Sequence, residues 1–284
     1  MKELTLFPKA RDYHKPSKPL IPNGLGVAYV LVSTVYLFSL HFLDIYASAS
    51  LALAVCVLFG GFLGLLDDWM NLKWRYKAFF PLFVALPLAA LPEVDTVMAT
   101  YIFGKIDFQI YFYLFMIPII VTVTTNTVNQ LGGLNGLETI CPLIVMGGLL
   151  VASQERVLLY LPVAVYFVLA CFNFKGKIFV GNTGSFAAGI TLASYGVIAN
   201  VEQTLLICIL PFAFNSSLIL LNRLLFRRRS RLVMKEGLLH ANHRRSLVTL
   251  IAHYHPSKEH ELVGIVALIV AFFTTIAAVV WLLW

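Results

Sequence analysis

Apolar residues fall in nine runs: 26–46, 48–66, 78–92, 110–128, 137–153, 157–173, 185–200, 203–222 and 263–284. A helix needs about 20 apolar residues to cross the hydrocarbon core of a bilayer. The pattern therefore predicts an all-α polytopic membrane protein with about nine transmembrane helices. The runs at 78–92 and 137–153 are short, and their ends are soft. Polar residues sit in short connections, except in a long basic loop at 223–262. The whole chain, 1–284, reads as a single integral membrane domain with that loop inside it.

Composition agrees with the pattern. The chain is 60% hydrophobic and 12% charged, with mean hydropathy +0.84, whereas soluble domains carry about 25% charged residues. Cys56, Cys141, Cys171 and Cys208 all lie in apolar runs without paired spacing, which predicts buried small hydrophobes rather than disulfides or a thiolate metal site. The opening segment MKELTLFPKARDYHKPSKPLIP is basic, Pro-rich and too polar for a signal core.

Charge orients the spans. With a cytoplasmic N-terminus the cytoplasmic segments are 1–25, 67–77, 129–136, 174–184 and 223–262, and they hold every basic residue except Lys105 and Arg156, as the positive-inside rule requires. The net charge of +7 is then a property of one face, suited to anionic headgroups or a phosphorylated substrate. Its division among short loops argues against nucleic acid.

That orientation gathers four polar segments on the cytoplasmic side. Asp67-Asp68 ends an apolar run and opens DDWMNLKWRYK; a charge at bilayer depth costs about 2.5–3.5 kcal/mol, which marks such residues as functional by default. In NTVNQLGGLNGLE, residues 126–138, Asn126 and Asn129 share a helical face, and the glycines after them admit close backbone approach. FVGNTGS, residues 179–185, opens a helix whose free N–H groups can meet an anion. The last loop carries Arg227, Arg228, Arg229, Arg231, Arg244 and Arg245. Each segment has a plainer reading: an interfacial cap, interhelical hydrogen bonds, a turn, a headgroup patch. Together they carry what metal-assisted phosphoryl transfer needs. The loop histidines (His240, His243, His253, His255, His260) have HxxH and HxH spacings but no cysteine, so solvated or phosphate-facing roles compete with a zinc site. His41 reads as a packing residue within a span.

The order D-D, N-x-x-N, G-x-x-G-L-E, F-V-G-N and basic loop resembles the polyprenyl-phosphate N-acetylhexosamine-1-phosphate transferases. It is most similar to their archaeal and eukaryotic dolichyl-phosphate GlcNAc-1-phosphate branch. LLDDWMNLKWRYKAFFPLFVALPL resembles that branch's DD…NLRWRHK…LP, and TNTVNQLGGLNGLE its TNAINILAGINGLE. Bacterial relatives carry aspartate at the position of Gly132. PFAFN (211–215) and RRRSR…KEG (227–237) also fit, so the resemblance covers about residues 12–250.

The resemblance implies roles. Asp67, Asp68 and Lys77 take catalytic positions, and Asn71 lies beside the phosphates. Asn129 and Asn182 take the Mg²⁺ positions, with Mn²⁺ as a substitute. Gly133, Asn135 and Phe179 form a uridine pocket, while Arg227, Arg228 and Arg229 reach the pyrophosphate and sugar. The implied reaction moves GlcNAc-1-phosphate from UDP-GlcNAc to dolichyl (polyprenyl) phosphate and releases UMP, opening lipid-linked oligosaccharide synthesis for N-glycosylation. The implied location is the archaeal cell membrane or the ER membrane, among membrane lipid, with a homodimer compatible. Alternatives are another UDP-HexNAc with undecaprenyl phosphate for surface polysaccharide, or a nucleotide-sugar or lipid transporter.

Three departures accompany the match. The family's usual aspartate in F-V-G-D is Asn182, which leaves Asp67 and Asp68 as the only acidic side chains at the matched metal and phosphate positions. Asn23 replaces an acidic residue of the early loop, and relatives begin with one further helix, making ten. The short chain points to an archaeal source.

Overall fold

A computed structural model describes residues 7–15, 17–91, 94–100, 104–226 and 231–283. The helices are α1 (Gly26–Phe42), α2 (Ala47–Met70), α3 (Trp74–Val84), α4 (Leu86–Ala89), α5 (Ile117–Gln130) and α6 (Leu137–Ala152). They continue with α7 (Val157–Phe174), α8 (Gly181–Ile198), α9 (Glu202–Cys208), α10 (Leu210–Phe226), α11 (Leu247–Tyr254) and α12 (Glu259–Leu283). A π-helical turn, Phe112–Met116, leads into α5. All nine apolar runs fall on helices.

Among the described residues, length and apolarity single out four helices as sufficient to cross a membrane: α2, the Phe112–Gln130 stretch, α7 and α12. A fifth follows if α9 and α10, bent by 57° relative to each other, form one broken span. The nine-span count is thus not reproduced by this criterion. Helices α1 and α6 are apolar but shorter, and the run at 78–92 is split between α3 and α4, with Pro81 inside the first and Pro87 near the start of the second. A proline removes one backbone donor and crowds the preceding turn, so it interrupts the ladder.

The fold is built around α8. Every residue from Thr183 to Val197 is buried, enclosed chiefly by α1, α2 and α5. Its alanines, glycines and serines allow this. A Cβ on Gly26 would overlap the backbone of Gly184, and one on Gly64 the backbone of Asn182 and Thr183. Small residues let helices approach at backbone distance, where lipid offers no competing hydrophobic drive. Tyr29, wholly buried, donates its hydroxyl to Thr191 Oγ1 at 2.8 Å, so the central helix is fixed by polar contacts too.

Three short antiparallel hairpins, which the apolar pattern did not predict, close the ends: β1 (Lys9–Arg11) with β2 (Leu20–Pro22), β3 (Val97–Thr100) with β4 (Gly104–Asp107), and β5 (Val233–Lys235) with β6 (Leu238–His240). Strands of three or four residues are too short for a period-2 pattern to register. The first hairpin positions the site. Phe179 N–H donates to Pro22 O, and the N–H groups of Leu25 and Gly26 donate to the carbonyls of Phe179 and Val180. The segment before α1 is thereby laced to the segment before α8. His41 sits half-buried in the last turn of α1, its Nδ1 2.9 Å from Ala47 O.

Candidate active site

The two aspartates face different partners because successive residues on a helix point about 100° apart. Asp67 is buried. Its Oδ1 accepts Leu72 N–H at 2.9 Å and its Oδ2 pairs with Lys77 Nζ of α3 at 2.6 Å. Asp68 turns toward α8. Its Oδ1 accepts the backbone N–H (2.9 Å) and side-chain Nδ2 (3.0 Å) of Asn182. Its Oδ2 accepts the N–H (3.0 Å) and hydroxyl (2.7 Å) of Thr183. A carboxylate from α2 therefore caps α8, where the helix dipole and unpaired N–H groups favour negative charge.

Beside this cap lies a cleft of about 290 Å³ lined by Asn23, Asp68, Asn129, Gln130, Gly132, Gly133, Glu138, Phe179, Gly181 and Asn182. Asn129, near the end of α5, accepts Ser185 Oγ at 2.7 Å through Oδ1. A second cavity of about 270 Å³ adjoins it, lined by residues 11–14, Gly133, Leu134, Asn135, Glu138, Asn173 and Phe179. Gly133, Glu138 and Phe179 belong to both. At φ +102°, Gly133 occupies backbone space that other residues enter only under strain. Asn173, buried at the end of α7, joins the two loops of this second cavity: its Oδ1 accepts Gly136 N–H and Thr139 Oγ1, and its Nδ2 donates to Ile178 O.

Most of the sequence-predicted residues converge. Asp68, Asn129, Gly133, Phe179 and Asn182 line the first cleft; Asn135 lines the second with Gly133 and Phe179. Asp67 and Lys77 line neither cavity; they form an ion pair between the buried carboxylate and a half-buried ammonium. Asn71 does not line either cavity; it is exposed and takes the left-handed cap of α2 at φ +48°, its N–H bonded to Asp67 O. Asn126 also turns elsewhere, into a mainly apolar groove of about 280 Å³ between α3, α5 and α10 that shares Gln130 with the cleft. Arg227, Arg228 and Arg229 lie outside the described residues. Among those described, the metal-type cluster is Asp12, His14 and Glu259, not the loop histidines.

Sequence reasoning missed three carboxylates. Asp67 and Asp68 are not the only acidic groups here: Glu138, the last letter of the G-L-E motif, lines both cavities and accepts Gly133 N–H at 3.3 Å. A Cβ on Gly132 would collide with Glu138 Oε1, so this carboxylate fills the space that a side chain at 132 would take. Asp12 and Glu259 converge on Asn135 from opposite ends of the chain. Only Glu138 had a local sequence signal.

The donors around the first cleft, Asp68, Asn129, Asn182 and Glu138, are all oxygen-bearing, without cysteine or histidine. Such a set suits a hard cation of the Mg²⁺ type. Asn182 Nδ2 is committed to Asp68, which leaves its carbonyl oxygen as the ligating end.

Residues 23–200 match the glycosyl transferase family 4 pattern. The chain belongs to glycosyl transferase family 4. The family match covers α1 through α8 and every cleft residue named above. Among individual relatives, the chain is 29% identical over 212 residues to a Saccharolobus solfataricus protein provisionally named UDP-N-acetylglucosamine–dolichyl-phosphate N-acetylglucosaminephosphotransferase, covering 71% of this chain and 66% of the relative. It is 28% identical over 233 residues to the Schizosaccharomyces pombe protein of that name, covering 70% and 49%. A Streptococcus pyogenes phospho-N-acetylmuramoyl-pentapeptide-transferase is 30% identical over 224 residues, covering 70% and 66%. The chain thus spans about two thirds of the archaeal relative's length and half of the fission-yeast one's.

Proposed function

We propose that this protein transfers GlcNAc-1-phosphate from UDP-GlcNAc to dolichyl (polyprenyl) phosphate, releasing UMP. The observation that carries the reading is the two-lobed cleft. Its capped, oxygen-rich lobe at the start of α8 suits phosphates, and its second lobe, with Phe179 and Asn135, suits a base. An apolar groove for a prenyl chain runs alongside, joined through Gln130. The archaeal and eukaryotic relatives' names favour this donor and acceptor.

In the proposed reaction an oxygen of the acceptor phosphate attacks the sugar-bearing phosphorus of UDP-GlcNAc. A new P–O bond forms, the bond to the bridging oxygen breaks, and UMP leaves with that oxygen. Asn129 and Asn182 would hold Mg²⁺, which would supply charge neutralisation at the pyrophosphate. An alkyl phosphate has its second pKa near 6, so the acceptor is mostly dianionic at neutral pH and a strong base is not needed. Asp67 keeps Lys77 in place through its 2.6 Å ion pair, so that the ammonium adds positive potential behind the cleft without being free to drift. Asp68 fixes the first turn of α8 and with it the metal-facing amide of Asn182. The site faces the cytoplasm in this reading, where the basic loops lie.

The test is transfer of radiolabelled GlcNAc-1-phosphate by the purified full chain in detergent, with dolichyl or undecaprenyl phosphate as acceptor. Label in a lipid pyrophosphate product with the dolichyl acceptor supports the reading. Label only with undecaprenyl phosphate moves it to the bacterial branch. Uptake of UDP-GlcNAc into proteoliposomes without transfer refutes it in favour of a transporter.

A further inference from the structure

Asn135 is held in a way that fixes which end of its amide is available. Its Nδ2 donates to Asp12 Oδ2 at 2.8 Å and to Glu259 Oε1 at 2.9 Å, and its backbone N–H donates to the same Glu259 oxygen at 2.9 Å. Asp12 comes from the loop after β1, and Glu259 is the first residue of α12. Carboxylates only accept, so two of them converging on one amide can be met only by its NH₂ end. The usual ambiguity between the oxygen and nitrogen of an asparagine is thereby removed chemically. The remaining polar atom, Asn135 Oδ1, is buried and has no hydrogen-bond partner among the described residues, in a residue that is 3% exposed and lines the second cavity beside Phe179.

We infer that Asp12 and Glu259 are positioning residues that clamp Asn135 as an obligate acceptor, and so select a nucleobase presenting an N–H. Uracil carries such an imide N–H at its ring N3; cytosine has an acceptor at that ring position, and its donor is the exocyclic amine beside it. The inference rests on the uridine-nucleotide reading above and adds the residues that enforce it. A buried acceptor left unpaired is costly, and a site built around one rejects ligands that cannot donate. Lys15 Nζ, 3.2 Å from Asp12 Oδ2, offsets part of the negative charge. Asp12, His14 and Glu259 are close enough to suggest a metal site. The carboxylate oxygens facing Asn135 are already engaged by the amide and Lys15, so the clamp accounts for two of the cluster's three members.

The experiment measures UMP and CMP binding by calorimetry on the full chain in detergent. The parent protein should prefer UMP by about 10- to 100-fold. In the Asp12→Asn/Glu259→Gln double variant, amides can pair with either end of Asn135. Preference should then fall at least about tenfold as Asn135 becomes free to flip. Loss of packing alone would weaken both nucleotides in parallel and leave the ratio unchanged, so a retained ratio overturns the clamp. If the double variant does not fold, Glu259→Gln alone carries the test, with a smaller fall in the ratio expected and no fall overturning it. Failure of the parent to bind UMP at all would overturn the uridine reading, and the clamp with it.

Discussion

Asn182→Asp restores the carboxylate usual at this position, and the geometry says what it should do. Asn182 Nδ2 lies 3.0 Å from Asp68 Oδ1, so the substitution turns a donor–acceptor contact into two facing anions. At an effective dielectric constant of about 20, unit charges about 3–6 Å apart repel by roughly 3–5 kcal/mol; partial solvent exposure of the cleft brings this to about 2–4 kcal/mol. Without metal the start of α8 loses that much support, a fall in Tm of about 5–10 °C. A divalent cation between the carboxylates reverses the sign, because it now meets two charges rather than one. Scanning fluorimetry in detergent should therefore show a variant less stable than the parent in EDTA and rescued by Mg²⁺. The half-saturating Mg²⁺ for transfer should fall. A variant as stable as the parent in EDTA, or one needing more Mg²⁺, would refute the placement of Asn182 at a metal.

Other outcomes follow from single contacts. Lys77→Met leaves Asp67 buried without its 2.6 Å partner; stability should drop by about 2–4 kcal/mol in thermal unfolding, with much of that recovered in the Asp67→Asn/Lys77→Met double variant while transfer stays lost. Gly133→Ala forces a side chain onto a backbone at φ +102°, costing about 1–3 kcal/mol and weakening UMP binding at least about tenfold by calorimetry. His243 in the last loop is held below its ordinary pKa, first by burial and then by the Arg245 charge. The folded loop therefore binds protons less readily than the unfolded one. Its stability should decline as pH falls through about 6.5, read as faster proteolysis within 231–258, and His243→Gln should remove that pH dependence.

The residues legible in the sequence are those whose neighbours lie nearby on a helix or inside a motif. Asp68, Asn129 and Asn182 belong to three motifs that each end or begin a helix at the same end of the bundle, and charge placed those ends on one face. Asn71 belonged to a motif as well, but its residue type also suits a left-handed helix cap, and that is the role it fills. The partners of Asn135 were out of reach. They lie 123 and 124 positions away, and neither the loop after β1 nor the first turn of α12 has a periodicity that points at residue 135. The bend between α9 and α10 was equally hidden, since an apolar run records burial and not direction.

The adjacency of Asp67 and Asp68 separates their work. Asp68 spends its two oxygens on four donors at the start of α8, so removing its charge disturbs the helix that carries Asn182 and the cleft floor. Asp67 lines neither cavity; its oxygens go to Lys77 and to the turn after α2. Asparagine at 67 should thus act through the ammonium, and asparagine at 68 through helix and metal. The two are distinguished by whether added Mg²⁺ recovers any transfer: partial recovery is expected for Asp68→Asn, where Asn129 and Asn182 keep their amide oxygens for a cation, and none for Asp67→Asn, where the lost element is the ordered Lys77. Recovery in the reverse order would exchange the two roles.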